Sequence, residues 1–395
     1  MRPPLILLAG AVFAVQANAG ELEFSGYVGA DATYFPETGF SAGQLAHFQG
    51  GLLARPELKW TTEERDTLLK FAAFGRLDSA DTDRSHFDIR EAFVFHDFGE
   101  LETLAGINKV FWGVTESRQL VDIINQRDAL EYNDRDARLG QPMVQLTTRQ
   151  DWGELSFFAM TGFRKVQFPG DNGRFLLPLP IDEGAAVFED SAEEWAPDFA
   201  ARYSNTFGNL DVGVSAFHGT SREPRLVLDG AGTAYIPYYD RITQGGLEVQ
   251  YTWDALLLKF EGIVREGQGD TFGALVTGAE YTLSQIAGTD GDLGLIGEYL
   301  YDGRTVFHPF TPYDNDVFLG LRYAANDERD TSALLGSAID LDDGSMAIRA
   351  EFETRIAEGF TLDADAQFFV PHGSNSDLKP LENDGFISVT IKRHF

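Results

Sequence analysis

The sequence predicts an all-β fold: a closed, antiparallel transmembrane β-barrel of about eighteen strands, with sixteen as the nearest alternative. Three observations predict it. Apolar and polar residues alternate with a period of two through most of the chain. The connections between these segments alternate between short and long. The final segment is an alternating strand that stops at an aromatic residue, Phe395.

The alternation runs as follows. In 22–34, Leu22, Phe24, Val28 and Tyr34 share one face while Glu23, Ser25 and Asp31 share the other. In 48–60, Leu52, Ala54 and Leu58 oppose Arg55, Glu57 and Lys59, and Pro56 sits awkwardly for a central strand. Strands follow at 68–78, 87–97, 101–112, 143–150, 154–163, 199–206, 210–218, 243–253, 256–265, 272–283 and 293–301. The last five are expected at 317–324, 332–341, 345–356, 360–370 and 385–395. Each is near the ~9–11 residues a tilted strand needs to cross a bilayer.

Short turns at 99–100, 151–153, 207–209, 254–255 and 357–359 interleave with longer loops at 35–47, 113–141, 164–197, 219–242, 302–316 and 371–384. Loop 164–197 is rich in Pro and Gly, and loop 219–242 contains a small hairpin pattern around 226–236. Short turns on one side and long loops on the other are the asymmetry of outer-membrane barrels. Trp60, Trp152 and Trp253 all fall at short-turn ends, where an interfacial aromatic girdle belongs. A soluble sandwich is the competing architecture. It would need a second layer to cover so many apolar faces, and no segment is set apart for that.

Residues 1–19 read as a secretory signal peptide, leaving 20–395 as the barrel. Arg2 supplies the positive start, 5–15 the short apolar run, and Ala17-Asn18-Ala19 the cleavage signal. There is no cysteine, so stability is expected from a closed hydrogen-bonded sheet and not from disulfides. The chain carries 62 acidic against 31 basic residues, a net charge of −31. Such a surface repels nucleic acid and suits cation attraction or divalent bridging to anionic lipid headgroups.

The end of the chain resembles the terminal strand of Gram-negative outer-membrane barrels. Ile387, Val389, Ile391 and Phe395 share a face, interrupted by Arg393, whose long side chain can snorkel to the interface. The resemblance implies an outer-membrane protein in contact with lipid and lipopolysaccharide, delivered by the barrel-assembly machinery through the Phe395 strand.

The segment 106–128 stands apart. Val114, Leu120, Val121 and Ile124 recur at a helical period, and Thr115 or Ser117 can cap, so a short helix is expected. Eighteen strands are too many for side chains to fill the centre. Loop 113–141, folded inward, would make a constriction; the alternative is a surface helix lying on a loop. Inward, Glu116, Arg118, Asp122, Arg127 and Asp128 would meet the charges of the wall, with Glu131, Asp134, Arg135, Asp136 and Arg138 beyond them. The wall candidates are Arg55, Lys59, Arg76, Arg90, Arg149, Arg202, Arg322 and Arg349, beside inward acids such as Glu248, Glu261 and Glu298. Mixed signs set a field across a lumen, which orients polar solutes and excludes apolar ones.

The run Trp112-Gly113-Val114-Thr115-Glu116-Ser117, then Ile124-Asn125-Gln126-Arg127-Asp128, resembles a W-G-E-S and I-N-x-x-D signature of large outer-membrane barrels. Val114-Thr115 is an insertion relative to that pattern. The resemblance implies a porin-like or export-barrel role and not a chemical reaction; with the charged lumen, the preferred expectation is a channel for diffusion of small hydrophilic solutes, without a cofactor. Two other readings stay open: a conduit for export or surface assembly, for example of polysaccharide, and a non-transporting adhesion or structural barrel. A homo-oligomer would suit the first, and one sequence does not decide it.

No nucleophile elbow, zinc motif or phosphate loop occurs, so no enzyme is expected. His218 with Ser215 or Ser221 is the one pair a barrel hydrolase would use. Three acidic turns carry oxygen ligands suited to weak Ca²⁺ binding: Asp290-Gly291-Asp292, Asp314-Asn315-Asp316 and Asp340-Leu341-Asp342-Asp343-Gly344. None fits the EF-hand pattern, and Asp, Asn and Gly favour turns on their own account.

Overall fold

The computed structural model describes residues 20–41, 43–374 and 376–395; the expected signal peptide, 1–19, lies outside them. Eighteen antiparallel strands close into one barrel. Seven come first: β1 (Glu21–Tyr34), β2 (Phe48–Thr61), β3 (Thr67–Asp78), β4 (Phe87–Asp97), β5 (Leu101–Asn108), β6 (Gln141–Gln150) and β7 (Gly153–Met160). A two-residue strand, β8 (Val187–Phe188), belongs to a long loop. The wall resumes with β9 (Asp198–Phe207) and β10 (Leu210–Thr220). The hairpin β11 (Arg225–Leu228) and β12 (Tyr235–Tyr239) stands in the next loop and pairs with β8. Then come β13 (Arg241–Trp253), β14 (Leu256–Glu266), β15 (Phe272–Leu283), β16 (Asp292–Asp302) and β17 (Asn315–Ala324). The wall ends with β18 (Ser332–Asp340), β19 (Met346–Ala357), β20 (Phe360–Val370) and β21 (Phe386–His394).

Closure is made by the two ends of the chain. β1 pairs with β2 on one side and with β21 on the other, from Tyr27 opposite His394 to Tyr34 opposite Ile387. Every wall strand therefore has two neighbours, and no edge is left open. Among the described residues no helix is long and apolar enough to cross a membrane. The outward faces form an apolar belt: Leu22, Phe24, Leu52, Leu77, Phe87, Phe157, Val264, Leu319 and Leu335 are all exposed. Phe395 stacks on Phe24 across the closure, and Arg393 covers the ring of Phe360.

Pro56 is accommodated by its neighbours. The β2–β3 ladder skips from Ala54–Gly75 to Glu57–Ala72, so the missing N–H falls where no bond is required. On the β1 side Pro56 faces Gly26, whose φ is +139°. A Cβ built there would lie 2.2 Å from the Arg55 carbonyl oxygen, so the close approach needs glycine.

Two strands end three or more residues short of the expectation. β5 stops at Asn108 and not at 112, and β7 stops at Met160 and not at 163. The chain leaves the wall at Asn108 because Asn125 takes over its bonding. The Asn125 amide donates to the carbonyls of Asn108 and Leu139, both at 2.9 Å, and its oxygen accepts from Val110 N at 2.8 Å. One side chain thus ties both roots of segment 109–140.

Candidate functional site

Segment 109–140 lies against inward-facing residues of the wall. It contains no helix, contrary to its apolar spacing. A helix would use its backbone N–H groups internally; here two wall carboxylates take them. Glu261, on β14 and fully buried, accepts from Val114 N (2.7 Å), Thr115 N (3.0 Å), Leu120 N (2.7 Å) and Val121 N (3.3 Å), and from Thr115 Oγ1 (2.8 Å). Glu298, on β16, accepts from Glu116 N and Ser117 N, both at 2.8 Å, and from Ser117 Oγ. Charged acceptors compete well with helix carbonyls, since bonds to ionised groups are roughly twice as strong.

The helical spacing reflected burial instead. Trp112, Leu120, Val121, Ile123 and Ile124 pack with Phe158, Met160, Phe217, Ile242, Ile263, Phe272, Val276 and Ile296 in one apolar cluster. Inward positions in this sector were expected to be polar, as around an aqueous lumen. They are apolar here because they are covered by the segment and not by water. At about 1.5–3 kcal/mol per buried large side chain, the five apolar residues hold the segment by roughly 10 kcal/mol before entropy is counted.

The charged candidates fall into three groups. Glu116 and Asp128 meet wall arginines. The Glu116 carboxylate receives Arg322 and Arg349, with Arg135 at 3.9 Å. Asp128 receives Arg90 and faces His86 Nε2 at 3.6 Å. Burial opposes ionisation of Asp128, but His86 and Arg90 win, and its pKa falls to about 2. Nearby, Arg76 joins Asp31 at 2.7 Å and clasps Glu131 of the segment with two bonds of 2.6 Å. Arg118 meets a wall acid, Asp302, at 2.8 Å.

Asp122 and Arg127 do not reach the wall charges. Asp122 is bound by Arg138 of its own segment at 3.0 Å. Arg127 forms a backbone bridge with Arg138 and has no ion pair among the described residues; burial, with Arg138 and Arg135, pulls it down to about 10. Both were expected to meet charges of the wall; the irregular backbone turns them along the segment.

Arg55, Lys59, Arg149 and Arg202 lie apart from these contacts. Arg55 faces Glu91 at 3.5 Å, and Lys59 stands between Glu23 and Lys70 in the ladders. Arg149 pairs with Glu154 at 2.7 Å and with Glu102, and Arg202 pairs with Glu248. Arg149 and Arg202 line a cavity of about 470 Å³ toward the short-turn end, with Val114 of the segment also in its lining.

Reasoning from sequence missed the anchors. Glu261 and Glu298 were placed inward but not tied to the segment. Their signal is an acid beside apolar inward neighbours, Ile263 in one case and Ile296 with Leu300 in the other. It missed Arg222 as well, which donates to the Ile124 carbonyl at 2.9 Å and to Asp198 at 2.6 Å. Buried Arg174 of loop 161–197 also went unseen. It reaches Asp384 at 2.8 Å, the Glu37 carbonyl at 3.0 Å and the Ala46 carbonyl at 3.2 Å. Three loops at the long-loop end are joined by that one guanidinium.

The suggested hydrolase pair does not form. His218 is exposed on the outer face and contacts Thr243 Oγ1 at 3.1 Å, while Ser215 alternates to the other face. Ser221 is fully buried and donates to the Glu223 carbonyl at 2.9 Å.

No family model matches the chain, and no curated protein matches it. Solved outer-membrane barrels do. Wzi of Escherichia coli, described as a carbohydrate-binding β-barrel involved in group 1 capsule assembly, aligns with a TM-score of 0.55 at 12% identity, over 93% of this chain and 83% of Wzi. OmpF of Salmonella typhi, solved with daunomycin, aligns at 0.49 and 12% identity, over 95% and 98%. OmpT of Vibrio cholerae aligns at 0.45 and 11% identity, over 96% and 100%. The chain has the fold of an outer-membrane β-barrel.

Proposed function

We propose that this protein is a porin-like channel of the outer membrane, in which segment 109–140 narrows the lumen to a charged passage for small hydrophilic solutes. The observation that carries the reading is the unequal cover of the inner wall. Along β14–β18 the inward residues are buried beneath the segment: Ile263, Val276, Ile296, Phe318 and Leu334. Elsewhere some inward charges keep access to water, on β2 and β19, at the short-turn end of β17 and on the segment itself, while Arg76 and Arg90 are buried against the segment. Side-chain exposure is 40% for Glu351, 42% for Arg322, 33% for Arg135 and 32% for Arg55. Charges of both signs facing water across a gap would orient a polar solute and reject an apolar one. On this reading Glu116, Arg322, Arg349 and Arg135 form the constriction, and Arg149 and Arg202 line the wider chamber beyond it. The barrel sits among lipid and lipopolysaccharide, and its Phe395 strand is the address read by the assembly machinery.

One observation favours a second reading. The loops joined by Arg174 bridge the long-loop end, which suits a lidded barrel that handles a glycan at the cell surface. Conductance separates the two. Purified mature chain in a planar bilayer should give steady single-channel steps, and Glu261→Gln with Glu298→Gln should enlarge them by freeing the segment. A silent wild type that opens only in the double variant would support the lidded reading. Silence in both would remove the channel.

A further inference from the structure

Two of the three acidic turns meet at the long-loop rim. β17 and β18 pair so that Asp316 stands directly opposite Asp340. Carboxylate oxygens of Asp314, Asp340 and Asp342 lie within 4.8 Å of one another. Asp377, from the loop between β20 and β21, lines the same small cavity as Asp316 and Asp340. The remaining turn, at Asp290 and Asp292, lies at the opposite end of the barrel.

A crowd of acids on a loop is common and proves nothing alone. The informative group is Asp316. Its residue is only 3% exposed, it lines the cavity, and its Oδ2 accepts no hydrogen bond. The charged neighbours of Asp314, Asp316 and Asp377 are other aspartates. A carboxylate taken out of water without a counter-charge is strongly disfavoured. Elsewhere in this barrel buried acids are answered, Asp31 by Arg76, Asp384 by Arg174, and Glu261 by converging N–H groups.

The geometry points to a site for a hard divalent cation of the Ca²⁺ class, ligated by Asp314, Asp340 and Asp342, with the Asp316 carboxylate behind them. Oxygens within 4.8 Å of one another can share one ion, and an irregular set of loop carboxylates suits the flexible coordination of Ca²⁺, at about 2.3–2.6 Å, better than the strict octahedron of Mg²⁺. The donor set is oxygen only, which suits neither zinc nor copper. The ion would tie the turn 341–345 to loop 303–314, and with Asp377 would draw in loop 371–385. This site is independent of whether the lumen conducts.

The test is calorimetric titration of CaCl₂ into the refolded mature chain in detergent, at constant ionic strength, with thermal unfolding measured alongside. One Ca²⁺ per chain is expected, with a Kd on the order of 10⁻⁴–10⁻³ M or tighter, as for extracellular Ca²⁺ modules. Asp340→Asn should weaken binding at least tenfold and abolish the Ca²⁺-dependent rise in Tm. Exposed Asp342→Asn serves if that variant does not fold, with heat-modifiable gel migration reporting a closed barrel. Asp290→Asn with Asp292→Asn should bind as wild type does. The proposal is overturned if the wild type shows no saturable heat, if folded Asp340→Asn or Asp342→Asn binds unchanged, or if NaCl stabilises equally.

Discussion

Glu261 shows what one residue does here. Four backbone N–H groups and a hydroxyl converge on its carboxylate. Glu261→Ala would leave those donors without an acceptor in a covered site, at a cost of about 1–3 kcal/mol for each one left dry. The expected outcome is amide hydrogen exchange at 113–121 faster by tenfold or more, with the wall strands unchanged; unchanged exchange would show that apolar packing alone holds the segment. His86 supplies a pH dependence. Burial pushes its pKa down, but the facing carboxylate of Asp128, the Arg84 carbonyl and the charge of Glu131 win and raise it. A raised value means that the stabilisation is full below about pH 6.5 and is lost as the pH climbs through the folded value. For Asp128 the sign reverses: with its pKa lowered to about 2, its contribution is present above about pH 3.9 and fades toward pH 2. Protease cleavage within 128–138 should therefore be slowest between about pH 4 and 6.5. His86→Ala should flatten the alkaline side only, and a profile unchanged by that variant would remove His86 from the account.

At the scale of elements, the β1–β2 hairpin tests how the wall tolerates a proline. Gly26→Ala would set a methyl against the Arg55 carbonyl at a φ that L residues avoid. A loss of about 1–3 kcal/mol is expected from strain of this kind, read as a lower Tm and slower appearance of the heat-resistant barrel. Pro56→Ala would restore an N–H where the β2–β3 ladder is interrupted, and should change Tm little; a large gain would mean that the skip in register is imposed by the proline. Loop 161–197 is the other testable element. Arg174→Ala removes a group shared by three loops and leaves Asp384 without its partner. A buried charge stripped of its partner typically costs 3–5 kcal/mol. Faster proteolysis of 161–197 is expected, with the barrel intact.

For the whole molecule, the barrel is a lumen shared unequally between packing and water. The segment packs on apolar residues of one part of the wall, buries Arg76 and Arg90 in another, and leaves charges such as Arg55, Arg322 and Glu351 accessible. If Glu116 stands at the narrowest level, Glu116→Ala frees Arg322 and Arg349 and shifts ion selectivity toward anions. Reversal potential in a salt gradient reads this directly. Unaltered selectivity would put the constriction elsewhere and leave Glu116 a structural anchor.

What the sequence by itself determined was the wall. Period-two alternation forces one face of each strand outward, because a one-residue slip would turn every apolar side chain to the wrong side. That constraint is local, so the eighteen strands, the short turns and the closing strand at Phe395 could be read without the structure, as could the hairpin at 226–236. The interior of the barrel was decided only by tertiary structure. Leu120, Val121 and Ile124 had the spacing of a helix, yet their backbone went to Glu261, which lies more than a hundred residues further along the chain. Periodicity reports that residues are covered, not what covers them. Likewise Asp122 and Arg127 had the right charge for wall partners and found neighbours in their own segment. The same distinction applies at the rim. Asp316 and Asp340 look like separate turns in sequence, and only the β17–β18 register sets them face to face. Alternation fixes the face of a residue; height, partner and cover depend on how distant strands come into register.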